Sequence, residues 1–292
     1  MIKTGKMPFK GGETYYRIVN PEGKKTPLLF LHGGPGSTHN YFEVFDPIAK
    51  EDDRPLVMYD QIGCGESYID GDETLFNAEV WMEELATLRD HLQLDEVHIM
   101  GQSWGGMLAI LYALEKNPTG VKSYIFSSTL SSATLWQKEQ HRRIRYMDGK
   151  TQKALFDAEK TNDYSSSTYV EALDEFMHRY CSGPVTEDAP EPLRREKISG
   201  TKAYVTGWGQ NEFTPTGTLS GYEVTDRLKE ITTPVLVTNG QEDLSSPFIA
   251  KTMVDHLPNA TWELFAYSRH MPYIDEHEKY VKVLLSWLNK NE

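Results

Sequence analysis

Short apolar runs recur along the chain, each closed by a glycine-rich or polar turn and most followed by a segment with helical spacing. Pro27-Leu28-Leu29-Phe30-Leu31, Leu56-Val57-Met58-Tyr59, Val97-His98-Ile99-Met100, Tyr124-Ile125-Phe126, Pro234-Val235-Leu236-Val237 and residues 261–265 have the length of buried strands. Residues 13–20 predict an earlier strand, with its turn at Pro21-Glu22-Gly23-Lys24. Helical periodicity runs over 77–93 through Val80, Leu85, Leu88 and Leu92. A second helix follows Met107 and is stopped by Asn117-Pro118, and a last one covers about 275–290. Buried strands alternating with helices imply a mainly parallel sheet covered on both faces, an α/β fold. From 131 to 225 the rhythm changes to polar helical segments at 136–147, 150–160 and 168–180, interrupted by Ser165-Ser166-Ser167 and by Pro184, Pro190 and Pro192. The expected layout is a core of 1–130 plus 226–292, with a helical cap of 131–225 inserted into it.

Composition narrows the class. The chain has 292 residues, 39% hydrophobic and 25% charged, with a formal net charge of −13, as in an ordinary globular enzyme. An acidic surface repels phosphate, so no nucleic-acid partner is expected, and the one basic run, His141-Arg142-Arg143-Ile144-Arg145, reads as a solvated helix face. No stretch approaches the roughly 18 apolar residues of a membrane span. The N-terminal residues Met1 to Lys6 lack the apolar run of a secretion signal. Cys64 and Cys181 stand far apart and outside any metal-binding spacing. These features favour a cytoplasmic protein without disulfides, metal or organic cofactor. Nothing in the sequence sets an oligomeric state.

The chemistry starts at Gly101-Gln102-Ser103-Trp104-Gly105-Gly106, which follows a strand and precedes a helix. Gly-x-Ser-x-Gly in that context is the nucleophile elbow of α/β-hydrolases, where a sharp turn lifts a serine hydroxyl above the sheet. A serine hydroxyl needs a base, and the base needs an orienting carboxylate. In this fold the acid and then the histidine follow late strands. Asp243 follows the strand at 234–240 and His270 the strand at 261–265. Glu242 is the rival carboxylate, and a helix-capping role with Ser245 and Ser246 is the plainer reading of Asp243 alone. His256 and His277 fall inside expected helices. Two backbone N–H groups are needed for the oxyanion. Trp104, after the nucleophile, supplies one, and the loop His32-Gly33-Gly34-Pro35-Gly36 the other, through Gly34 first and Gly33 second. A serine at the elbow argues against epoxide or haloalkane hydrolysis, which uses aspartate there, and the complete triad argues against a binding-only fold.

Taken together, His32-Gly33-Gly34-Pro35-Gly36, Asp60-Gln61-Ile62-Gly63-Cys64-Gly65-Glu66-Ser67, the elbow and the loops of Asp243 and His270 resemble the proline iminopeptidase (prolyl aminopeptidase) family of serine peptidases across nearly the whole chain. The resemblance is greatest to the branch found in lactobacilli and in the archaeal aminopeptidases that work with tricorn protease. It implies release of N-terminal residues, preferably proline, from short peptides. It also implies that Glu212, in Asn211-Glu212-Phe213-Thr214, binds the substrate amine, although spacing alone reads it as a surface glutamate. Many members place a second glutamate directly after the catalytic aspartate, where this chain has Leu244. That departure keeps open an amidase or esterase acting on amino-acid amides or other small amides and esters. Trp136, Trp208 and Phe213 are expected either to shape the substrate pocket or to form the cap's own core.

Overall fold

The period-two alternation of each central strand sorts its side chains onto two faces. The computed structural model describes residues 1–292. In β3 (Leu28–Leu31), Leu29 and Leu31 enter one apolar core while Leu28 and Phe30 enter the other. β4 (Leu56–Tyr59), β5 (Val97–Gln102) and β7 (Val235–Gly240) divide in the same way. With β1 (Ile2–Phe9), β2 (Gly12–Val19), β6 (Val121–Ser127) and β8 (Ala260–Phe265) they form one sheet ordered β1-β2-β4-β3-β5-β6-β7-β8. The pairs β1/β2 and β2/β4 are antiparallel and all others parallel. This is the mainly parallel α/β sheet that the apolar runs predict.

Helices α1 (Asp46–Glu51), α2 (Ala78–His91) and α3 (Trp104–Leu111) follow β3, β4 and β5. A single π-helical turn at Tyr112–Lys116 extends α3, and Asn117, with φ 42°, ends it as the Asn-Pro pair requires. Between β6 and β7 lie α4 (Ala133–Ile144), α5 (Gly149–Thr161), α6 (Ser167–Tyr180), α7 (Glu191–Arg194) and α8 (Thr201–Gly207). The two ends of this helical stretch meet: Ala133 N–H donates to the Tyr222 carbonyl at 2.8 Å and Val224 N–H to the Ser131 carbonyl at 2.9 Å. The chain closes with α9 (Pro247–His256), α10 (Pro272–Asp275) and α11 (His277–Lys290). No helix is long and apolar enough to cross a membrane.

Two features depart from the expectations. The strand β1 carries few apolar residues, because it is an edge strand whose inward face amounts to Met7 and Phe9. It joins β2 through Lys10 and Gly11, both at positive φ, the geometry of a tight two-residue hairpin turn. The basic run 141–145 is only partly a solvated face. Ile144 is fully buried, and the Arg143 guanidinium lies inside, 4.5 Å from the centre of the Tyr180 ring.

A buried charge cluster ties the stretch after α7 to the core. Glu43 receives Arg195 Nη1 at 2.8 Å and faces Arg17 at 3.6 Å and His39 at 3.4 Å. His39 Nδ1 donates to Asp60 at 2.8 Å. Burial opposes a charge on His39, but hydrogen bonds to Asp60 and Glu43 outweigh it and raise its pKa to about 9. The stabilisation from this charge is therefore complete below the ordinary value of 6.5 and is lost as pH rises through about 9. Glu84, raised by burial to about 8, makes the fold lose stability from its ordinary 4.5 upward until about 8. The two effects overlap, so the share of His39 is read by difference. Thermal melts should show wild type losing more stability than His39→Asn between pH 6.5 and 9. Parallel curves for the two proteins would contradict this.

Candidate active site

At the end of β5 the chain reverses into α3 with Ser103 at φ 55° and ψ −123°, a region that side chains rarely occupy. Crowding makes the neighbouring glycines necessary. A Cβ on Gly105 would strike the Leu31 carbonyl, and one on Gly101 would strike the Gly105 carbonyl. The elbow therefore packs against the end of β3, the strand that leads into the His32–Gly36 loop. Ser103 lines a cavity of about 480 Å³ together with His270, Gly34, Glu212 and Leu244.

Asp243 lies behind the cavity, fully buried. Its carboxylate accepts from His270 Nδ1 at 2.6 Å, Ser245 N at 2.8 Å, Ser128 Oγ at 2.7 Å and Gly240 N at 3.0 Å. Four donors fix the carboxylate in place, with one oxygen against the imidazole. The helix α9 is capped by Ser246, whose Oγ accepts from Ile249 N, so Asp243 is not its cap. Glu242 is exposed and sits 3.7 Å from Arg143 instead. With Nδ1–H given to Asp243, His270 keeps the Nε2 lone pair free for a proton. His270 and Ser103 share the cavity wall without a hydrogen bond between them, a contact that in this chemistry commonly tightens only on substrate binding. His256 stays at the exposed end of α9 and His277 at the start of α11.

The two expected oxyanion donors differ in what surrounds them. Gly33 N–H is spent on Tyr41 Oη at 2.6 Å. That leaves Gly34, with φ 109°, as the loop residue facing the cavity with its N–H uncommitted. Trp104 heads α3, where the N–H has no partner within the helix. The Trp104 indole donates to Gln61 Oε1 at 2.7 Å, Gln61 Nε2 donates to the His32 carbonyl at 2.9 Å, and Gln61 N–H donates to His32 Nε2 at 3.0 Å. Burial lowers the His32 pKa to about 4 and keeps the ring neutral, as an accepting Nε2 requires. The Asp60–Ser67 motif is thus a clasp between the elbow and the oxyanion loop. Tyr41 and Gln102 extend it: Tyr41 Oη donates to Gln102 Oε1 at 3.0 Å, and Gln102 Nε2 reaches the His270 carbonyl at 3.4 Å. Sequence reading misses Tyr41, which sits in a 3₁₀ turn with no motif of its own.

Glu212 is not a surface glutamate. Its carboxylate stands in the cavity wall and accepts from Tyr204 Oη at 2.7 Å. Burial raises its pKa above the ordinary carboxylate value, and the Tyr204 hydrogen bond and the charge of His270 pull the other way. The loop is fixed by Trp136 Nε1 donating to the Glu212 carbonyl at 2.8 Å and by Asn211 Oδ1 accepting from Phe213 N and Thr214 N, both at 2.8 Å. Trp136, Trp208 and Phe213 are buried among the helices between β6 and β7, and Trp136 also stands edge-on to the His270 ring with centroids 6.4 Å apart. Leu244 is 1% exposed and presents an apolar wall to the cavity at the position where the family resemblance implies a second carboxylate.

The chain is similar to known proteins over its whole length. The alpha/beta hydrolase fold family matches residues 26–277. The chain is 66% identical over 293 residues to a proline iminopeptidase of Clostridioides difficile (strain 630), covering 100% of this chain and 99% of that protein. It is 56% identical to a proline iminopeptidase of Clostridium botulinum, again covering 100% and 99%. Among solved structures, VinJ superposes with a TM-score of 0.91 at 28% identity over 99% of each chain. The proline iminopeptidase of Mycobacterium smegmatis superposes with a TM-score of 0.87 at 28% identity, over 99% of this chain and 98% of that one.

The contact at Gly105 gives a direct test of the elbow. Gly105→Ala forces a methyl group against the Leu31 carbonyl, so either β3 or the turn must move. Overpacking of this kind costs about 1–3 kcal/mol. The variant should melt at lower temperature and react more slowly with a fluorophosphonate at Ser103, and an unaltered labelling rate would contradict the geometry.

Proposed function

Because the chain belongs to the proline iminopeptidase family of α/β-hydrolases, we propose that it releases N-terminal residues, proline foremost, from short peptides by acyl transfer through Ser103. The observation that carries this reading is one cavity holding an elbow serine, an imidazole hydrogen-bonded at 2.6 Å to a buried aspartate, and a carboxylate able to receive an ammonium. Ser103 Oγ attacks the scissile carbonyl while His270 Nε2 takes its proton. Asp243 holds the imidazole in the required tautomer and stabilises the imidazolium. The N–H groups of Gly34 and Trp104 hold the developing oxyanion, each worth about 2.7–4 kcal/mol of barrier. His270 then protonates the leaving amine, and water, activated by the same base, frees the acyl group.

The amine end selects for a free N-terminus. Glu212 as an anion pairs with the substrate ammonium, with Tyr204 fixing the carboxylate. The stretch 131–225 acts as the cap that supplies this end. Leu244 removes one possible anchor, so amine recognition rests on Glu212 and Tyr204. The names of the relatives do not favour the amidase or esterase alternative, for which Leu244 is the only support. The free cysteines Cys64 and Cys181 fit a cytoplasmic setting.

Turnover of proline p-nitroanilide set against its N-acetylated form tests the reading. The free amine should be strongly preferred, and equal turnover of the blocked substrate would refute it. Asp243→Asn should keep the fold and lower kcat by about 10⁴, since the imidazole loses its tautomer control. Glu212→Gln should raise KM about ten- to a hundredfold, the worth of one charge-assisted hydrogen bond. Because the carboxyl of Glu212 is raised, substrate affinity should begin to fall at a higher pH on acidification than an ordinary carboxylate would allow. This acid limb should appear in kcat/KM rather than kcat and should vanish in Glu212→Gln.

A further inference from the structure

The catalytic cavity has two apolar walls, and they belong to different cores. Met177, Cys181, Tyr204 and Leu244 pack with the core that contains Leu29 and Leu31. Leu193, Met271 and Ile274 pack with the core of Leu28 and Phe30, on the other face of the sheet. Glu212 belongs to the first wall: its carboxylate accepts from Tyr204, and Phe213 beside it in the chain is part of that core. Ser103 and the His270 loop leave the ends of β5 and β8, strands of the sheet that divides the two cores. The nucleophile and its base therefore stand between the Glu212 wall and the Leu193 wall.

Neither proton transfer nor amine binding uses the second wall, yet it is built as a fixed surface. Met271 follows the base directly, and Ile274 N–H donates to the Met271 carbonyl at 2.8 Å. Leu193 stands on α7, where Pro190 and Pro192 fix the backbone and Leu193 N–H donates to the Pro190 carbonyl at 3.0 Å. Just past α7, Arg195 is clamped to Glu43 at 2.8 and 3.2 Å. All three apolar side chains are half-buried, so each keeps a face open to the cavity. Arg269 and Asp275, which also line it, neutralise each other at 3.0 Å, and Lys197 is exposed. A preformed apolar surface next to a proton donor suits an apolar group attached to the atom that takes the proton.

Resting on the aminopeptidase reading, we infer that Leu193, Met271 and Ile274 receive the side chain of the residue after the cleaved bond, which makes peptides with a large apolar second residue the preferred substrate class. With its ammonium at Glu212, the N-terminal residue fills the first side of the cavity. The scissile carbon carries that residue on one bond and the leaving nitrogen on another, so the second residue runs toward the opposite wall. One extended residue spans at most about 3.6 Å, which keeps its side chain close to the base that protonates its nitrogen. Met271 and Ile274 lie within one turn of that base in the chain. Hydrolysis adds one water across the peptide bond, giving proline its new carboxylate and the second residue its new amine. The wall contacts only the leaving residue and takes no part in the bond exchange. A polar second side chain loses water against a surface that offers it no partner.

The test compares kcat/KM for Pro-Leu with that for Pro-Asn, whose second side chains are alike in size and both uncharged. Wild type should favour Pro-Leu about tenfold, the low end for burying one aliphatic side chain. Leu193→Asn and Ile274→Asn should each lower the ratio about threefold, half of that preference on a logarithmic scale, and the double variant should bring it near one. The ratio is internal to each sample, so partial misfolding of a variant leaves it interpretable. Should the double variant not fold, the ratio in Leu193→Asn decides. A wild-type ratio near one, or a ratio unchanged in the variants, would overturn the inference while leaving the aminopeptidase reading intact. Failure of wild type to cleave either peptide would remove both.

Discussion

The carbonyl of Leu31 and the α-carbon of Gly105 meet at a distance that leaves no room for a side chain. That contact brings the end of β3 against the first turn of α3, and with it the oxyanion loop against the nucleophile. A serine at φ 55° would be an unstable turn in isolation. Here it is over-determined by the sheet on one side, by the helix on the other, and by the Gln61 clasp across the top. The strain is local, and the packing that offsets it is spread over both cores.

Electrostatics are handled differently at the two ends of the cavity. Asp243 is buried with four donors, so its charge is compensated before any substrate arrives. Glu212 has one neutral donor, Tyr204, and burial disfavours its charge. On the proposed function, an incoming ammonium supplies what Glu212 lacks. The acid that orients the base is complete in the free protein, and the acid proposed to recognise substrate is the one left for substrate to complete. This contrast matches the different demands of catalysis and selection.

Much of this could be read from the chain. The elbow, Asp243 and His270 announce themselves because each follows a strand whose apolar run is unmistakable, and because the chemistry requires them in that order. Central strands are visible for the same reason. The polar edge strand β1 is not, since only Met7 and Phe9 face inward and its pairing with β2 is set by a turn lacking the usual Asn-Gly signal. The burial of Arg143 depends on Tyr180, a partner on another helix. The same limit hides Tyr41 and the pairing of Tyr204 with Glu212, where the partners come together only through tertiary folding. The spacing of Glu212 is that of a surface residue because nothing local reveals which loop folds back over the sheet.

The meeting of the two necks at Ser131–Ala133 and Tyr222–Val224 carries one more consequence. Bringing the ends of a segment to one point costs loop-closure entropy, but that cost rises by only about 0.6 kcal/mol for each doubling of its length. The framework therefore sees the same two anchor points whatever lies between them. Residues between those necks can change while the strands that position Ser103, Asp243 and His270 keep their register.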